Sequence, residues 1–142
     1  MSKKKELSGK SALDPAGGRC RRMLVVEDED AMARVLVNKF EHNGFLAERC
    51  CNGKDAIDRL KRETFDIILL DLLMPGVDGF TVLSKMAETL NIRTPVIVLT
   101  NLGQEEIMVK AKKLGARDCF MKSSISLNEL VGKVEAVIGK TA

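Results

Sequence analysis

The sequence predicts an α/β domain built on a parallel sheet with helices on both faces. Three short apolar runs, at residues 23–26, 67–70 and 96–99, end respectively in Glu27-Asp28, Asp71 and Thr100. Such runs alternate along the chain with segments of helical periodicity, and the connections are short, which favours right-handed crossovers between parallel strands. The carboxyl ends of neighbouring strands in such a sheet converge on one crevice, where open α/β sheets place their ligands. Here that crevice would hold three carboxylates and a hydroxyl.

The elements follow in order. After the first strand at 23–26, residues 30–43 carry Met32, Val35, Leu36 and Phe40 at helical spacing, and Asn43-Gly44 is a helix stop. A short strand at 45–49 leads to Asn52-Gly53, which turns the chain into a second helix carrying Ala56, Ile57 and Leu60. The continuous apolar run at 65–70 suits a strand buried on both faces. A third helix is expected at 78–90, a fourth strand at 95–99, a fourth helix at 104–114 and a fifth strand at 116–121. Ser126-Leu127-Asn128-Glu129 has the capping-box pattern, so the last helix starts at Ser126. Five strands and five helices make one domain, and 142 residues suffice for a substantial core.

The chain is 45% apolar and 30% charged, with no Trp or Tyr, so its core must be aliphatic with Met and Phe. No apolar stretch approaches the roughly 20 residues of a membrane span, and the basic N-terminus lacks the apolar segment of a secretion signal; a cytoplasmic location is the expectation. Cys20, Cys50, Cys51 and Cys119 have no paired C-x-x-C spacing and read as reduced thiols, Cys50 and Cys51 pointing to opposite faces. The net charge of +3 is uneven: residues 1–22 hold seven Lys and Arg against two acids. With few apolar residues to offset the entropy of ordering, 1–22 is expected to be a flexible basic tail, with the folded domain at 23–142. The tail has no aromatic residue to stack on bases, so it reads as a solubilising leader and not as a nucleic-acid arm.

The chain resembles the receiver domain of two-component response regulators over about residues 23–140. The resemblance is carried by Val25-Val26-Glu27-Asp28-Glu29, by Leu69-Leu70-Asp71-Leu72-Leu73-Met74-Pro75-Gly76-Val77-Asp78-Gly79, by Val96-Ile97-Val98-Leu99-Thr100, and by Lys122. It implies a flavodoxin-like (βα)5 doubly wound parallel sheet with strand order 2-1-3-4-5. It also implies that Asp71 is the phosphoacceptor, since a strand-terminal carboxylate can act as a nucleophile toward phosphorus and form an acyl phosphate. Glu27, Asp28, Asp71 and the backbone carbonyl of Leu73 would hold Mg²⁺, a hard ion that favours oxygen ligands. Lys122 and Thr100 would complete the neutralisation of the phosphoryl oxygens, and Pro75, Gly76 and Gly79 would shape the loop.

Several positions depart from the family pattern. Ser123 follows Lys122 where Pro is usual, which predicts a trans bond and a displaced Lys122 loop. Cys119 stands where a switching Tyr or Phe is common, with Phe120 facing the other way, so the aromatic part of the switch is expected to be missing. Asn101 replaces a small residue after Thr100 and is expected to alter the lifetime of the aspartyl phosphate. His42, at a helix end, reads as a surface or capping residue, so the phosphoryl donor comes from another protein.

The expectation is a stand-alone response regulator receiver, not an enzyme beyond self-catalysed phosphotransfer and slow autodephosphorylation. Its partners would be a sensor histidine kinase or histidine phosphotransfer protein and a downstream protein target, met through the face of the fourth helix, fifth strand and fifth helix. Family analogy adds a phosphorylation-linked homodimer; no membrane is involved. The alternative is a phosphorylation-independent receiver-like adaptor. A phosphohydrolase with an aspartyl nucleophile would need an acid two residues past Asp71, where Leu73 stands.

Overall fold

Apolar residues fill both sides of the central strands, and the fold follows from burying them. The structure, a computed structural model, describes residues 20–139. The elements are β1 (Arg22–Val26), α1 (Asp30–His42), β2 (Leu46–Cys50), α2 (Gly53–Arg62), β3 (Ile67–Leu70), α3 (Gly79–Lys85), β4 (Val96–Thr100), α4 (Glu105–Lys113), β5 (Asp118–Met121) and α5 (Leu127–Ile138). All strand pairs are parallel, in the order β2-β1-β3-β4-β5. This is the flavodoxin-like order expected from the resemblance. Because side chains alternate along a strand, Leu24, Val26, Ile68, Leu70 and Val98 pack with Ala56, Leu60 and Val82 on one face. Met23, Val25, Ile67, Leu69 and Ile97 pack with Leu36, Phe40, Leu130 and Val134 on the other.

The chain winds outward from β1 in both directions, to β2 on one side and to β3 on the other. Loops leaving β1 and β3 therefore diverge at their carboxyl ends, and a cleft opens between them.

Several boundaries move, each for a local reason. The third helix ends at Lys85 and tightens into a 3₁₀ turn at Met86–Glu88. Thr89 closes that turn by donating through both N–H and Oγ1 to the Met86 carbonyl, at 3.1 and 2.8 Å. Leu90 N–H then donates to Leu60 O at 3.1 Å and draws the chain toward α2. The fifth strand starts only at Asp118, because Gly115, at φ +113°, and the Ala116 N–H bond to Ala111 O still belong to the end of α4. Asn43 and Gly44 end α1 as expected, and the Ser126–Glu129 capping box is formed in full.

The tail reading falls on residues 1–22, of which 1–19 lie outside the described residues. Arg22 belongs to the fold: it opens β1 and its side chain is 5% exposed. Its guanidinium stacks over the Phe65 ring, 4.6 Å from the centroid, donates to Glu63 at 2.9 Å and to Thr64 O at 3.0 Å, and shares Glu48 and Glu63 with Arg59. Buried charge is tolerated there because both terminal nitrogens find acceptors. Nearby, Asn91 is fully buried; its Oδ1 accepts from Phe65 N–H at 2.8 Å, and its Nδ2 donates to the carbonyls of Leu60 and Glu63. These bonds lock the amino-terminal edge of the sheet, opposite the cleft.

Candidate functional site

The cleft at the carboxyl ends of β1, β3 and β5 has a volume of about 500 Å³ and is lined by Glu27, Asp28, Glu29, Asp71, Leu73, Met74, Pro75, Asn101 and Lys122. Each acid sits where a strand runs out. Asp71 N–H donates to Val26 O at 3.0 Å, so the phosphoacceptor candidate is tied directly to β1. Its Oδ1 accepts from Leu73 N–H at 3.2 Å and its Oδ2 accepts from Lys122 Nζ at 3.1 Å. Lys122 Nζ also lies 2.7 Å from Glu27 Oε1. Glu27 and Asp71 are 2% and 5% exposed, whereas Asp28 is open to solvent.

Lys122 thus reaches the site although Ser123 replaces proline. The described residues contain no cis peptide bond, so the Lys122–Ser123 bond is trans as expected; Lys122 N–H donates to Thr100 O at 2.9 Å and keeps the lysine in register beside β4.

Electrostatics in the cleft are set by burial and one cation. Burial holds the Glu27 carboxyl above its ordinary range; the Lys122 hydrogen bond opposes this and the Asp71 charge adds to it. For Lys122 burial acts downward, but the hydrogen bond it donates to Glu27 and the Asp71 charge outweigh it and hold the ammonium above its usual value. One carboxylate oxygen from each of Glu27, Asp28 and Asp71 lies within 4.8 Å of the others. An all-oxygen set of that span matches the donors Mg²⁺ prefers, so the residues fit this ion.

The loop beyond β3 is shaped to close over the strand end. A Cβ on Gly79 would fall on the carbonyl oxygen of Asp71 and 2.6 Å from Leu72 Cα, so only glycine lets α3 start this close. Gly76 has φ +77°, in the left-handed region. Asp78 caps α3 by accepting from Thr81 N–H at 3.0 Å and Thr81 Oγ1 at 3.1 Å.

Thr100 is not part of the lining. It is fully buried below the cleft, and its Oγ1 accepts from Leu102 N–H at 3.2 Å. Asn101 is at the rim, exposed. Cys119 is buried among the residues of the α2–α4 face and Phe120 packs on the α1–α5 face, as the alternation predicts. Burial raises the Cys119 thiol above its ordinary value. His42 stands at the exposed end of α1, its Nδ1 2.8 Å from Asn38 O. One residue that sequence reasoning missed is Arg49, which bonds the acidic loop from β2; a charged residue at the end of a short strand carries no signal of this.

Comparison with known proteins agrees with this geometry. Residues 23–135 match the response regulator receiver domain. The transcriptional regulatory protein SrrA of Staphylococcus aureus is 34% identical over 119 residues, covering 84% of this chain and 48% of SrrA. The chain therefore spans about half the length of such curated relatives. Among solved structures, the receiver domain of Francisella response regulator 1452 superposes with a TM-score of 0.76 at 32% identity, covering 83% of this chain and 96% of that one. The receiver domain of a Pseudomonas aeruginosa sensor histidine kinase, described with a magnesium ion in its active-site cleft, has the same fold, with a TM-score of 0.77 at 24% identity over 85% of this chain and 99% of that one. No described helix is long and apolar enough to cross a membrane. With the strand order, the acidic cleft and the family match over residues 23–135 in agreement, the chain belongs to the response regulator receiver domain family.

Proposed function

We propose that Asp71 accepts a phosphoryl group from the phosphohistidine of a sensor histidine kinase or histidine phosphotransfer protein in the cytoplasm, and that the phosphorylated domain signals through altered protein contacts. The carrying observation is the Lys122 ammonium held 3.1 Å from Asp71 inside a cleft walled by Glu27 and Asp28. Glu27, Asp28, Asp71 and the Leu73 carbonyl would hold Mg²⁺, which supplies charge neutralisation for phosphoryl transfer. The Asp71 carboxylate attacks phosphorus, forming an acyl phosphate as the bond to the donor imidazole breaks. Lys122, already between the two buried carboxylates, pairs with the new phosphoryl oxygens. Thr100 would then exchange its Leu102 N–H partner for the phosphoryl group and bias the β4–α4 loop. Output runs through the face of α4, β5 and α5, where a phosphorylation-linked homodimer would also form.

A second reading, a phosphorylation-independent adaptor, is favoured by Cys119 in place of a switching ring and by Asn101 at the rim. Amide exchange over residues 100–121, measured before and after complete labelling of Asp71, separates the two. The phosphorylation-dependent reading expects changed protection in the β4–α4 loop and α4. Unchanged exchange on a labelled protein would support the adaptor.

A further inference from the structure

We propose that Arg49 is a positioning residue for the metal site: its guanidinium fastens the loop between β1 and α1, holds Asp28 in direction, and thereby sets the affinity for Mg²⁺. This rests on the metal-binding reading above.

Arg49 lies in β2, paired in register with Val25 of β1, and its side chain runs toward the acidic loop. Nε donates to Glu27 O at 3.0 Å and one terminal nitrogen to Asp28 O at 3.0 Å, while the other donates to Asp30 Oδ1 at 2.6 Å. The two carbonyls belong to consecutive peptide planes, one on each side of the Asp28 Cα. Fixing both planes fixes φ and ψ of Asp28, and with them the direction of its Cβ. This matters because the Asp28 side chain is exposed, so its aim depends on the backbone. Glu27 is secured independently, by its N–H bond to Cys50 O at 3.0 Å, by burial and by Lys122. Asp30, at α1's first turn, ties the same guanidinium to the helix start. A planar fork of N–H donors makes all three bonds at once, and a lysine ammonium cannot reproduce that geometry.

The charge of Arg49 predicts the opposite effect to its geometry, which makes the proposal testable. A cation near a divalent-metal site repels the metal, so removing it would tighten binding if charge alone mattered. If Arg49 acts as a clamp, removing it loosens the ligand loop and weakens binding. Loss of groups that orient metal ligands typically weakens binding about 10- to 100-fold.

Mg²⁺ titration by calorimetry on the wild type, Arg49→Lys, Arg49→Leu and Asp28→Asn, with a melting curve for each in the absence of metal, decides the matter. The expected result is Mg²⁺ binding weaker by about tenfold in both Arg49 variants, with Arg49→Lys melting near the wild type. Unchanged affinity in Arg49→Lys together with tighter binding in Arg49→Leu would assign the effect to charge and overturn the proposal, as would wild-type affinity in both. If wild-type binding is absent or indifferent to Asp28→Asn, the metal reading fails and the Arg49 proposal fails with it.

Discussion

Replacing Lys122 by Met removes the cation that the structure places between two buried carboxylates while keeping an unbranched side chain of similar bulk. Glu27 and Asp71, 2.7 and 3.1 Å from Nζ and nearly inaccessible to water, then face each other without a counterion. Removing one partner of a buried ion pair commonly costs about 3–5 kcal/mol, but here the cost has a ceiling, because Glu27 can take up a proton. From the ordinary value of 4.5, protonation at pH 7 costs about 3.4 kcal/mol, at roughly 1.36 kcal/mol per pH unit. Burial already raises that carboxyl, so this figure is an upper bound on the loss at pH 7, and the same arithmetic sets an upper bound of about 0.7 kcal/mol at pH 5. At roughly 4 °C per kcal/mol for a domain of this size, the melting temperature falls by at most about 14 °C at pH 7 and about 3 °C at pH 5. Thermal melts by far-UV circular dichroism at low ionic strength, at pH 5, 6 and 7, read this directly. Saturating Mg²⁺ should narrow the gap, since the metal replaces the missing charge. A variant as stable as the wild type at pH 7, or a loss that does not change with pH, would refute the reasoning.

Other consequences follow from single contacts. Gly79→Ala drives a Cβ into the Asp71 carbonyl and the Leu72 backbone, so urea unfolding should show a loss of about 1–3 kcal/mol; equal midpoints would mean that the loop has more slack than the contacts imply. In the Arg22–Arg59–Glu63 network, burial alone would raise the Glu63 carboxyl, but hydrogen bonds from Arg59 and Arg22 outweigh it and hold the group below its ordinary value. Its stabilisation is therefore present above the unfolded value of 4.5 and is lost as pH falls through the lower folded value. Glu63→Gln should cost about 2 kcal/mol at pH 7, and its gap to the wild type should close in acid; a gap constant from pH 7 to pH 3 contradicts this. Cys51 is exposed, whereas Cys50 and Cys119 are buried and burial pushes the Cys50 thiol up to about 11. Brief maleimide treatment at pH 7 followed by peptide mapping should label Cys51 and spare the other two, and comparable labelling of Cys50 or Cys119 would be the contrary result. Asn101→Ala opens the rim of the cleft, and the lifetime of the aspartyl phosphate should change; identical decay in both proteins removes any role for that side chain.

The sheet was legible because each strand carries its own evidence. The runs that became β1, β3 and β4 are apolar on both faces, and each stops at a polar residue; those after β1 and β3 line the cleft, while Thr100 at the end of β4 is buried. Glu27, Asp28 and Asp71 stand where apolar runs end, Lys122 follows from the family resemblance, and all four line one cleft. Thr100 was identified too, but its orientation depends on a 3.2 Å bond from Leu102 N–H that no local pattern encodes. The early end of α3 escaped notice because Thr89 and Leu90 act through hydrogen bonds, one of them to α2, and the apolar spacing continues past them. Arg22 was grouped with a basic arm on charge alone; its burial depends on Phe65 and Glu63, about 40 residues away. Arg49 was silent for the same reason, its three acceptors lying some 20 residues earlier, two on the loop after β1 and one at the start of α1.

The central claim, that Asp71 is a Mg²⁺-dependent phosphoacceptor, is tested most directly by intact mass after incubation with acetyl phosphate. The account predicts an increase of about 80 Da, one phosphoryl group, in the wild type with Mg²⁺, and no increase in Asp71→Asn or with EDTA. An increase that persists in Asp71→Asn, or no increase in the wild type under conditions that label a control receiver, would contradict it.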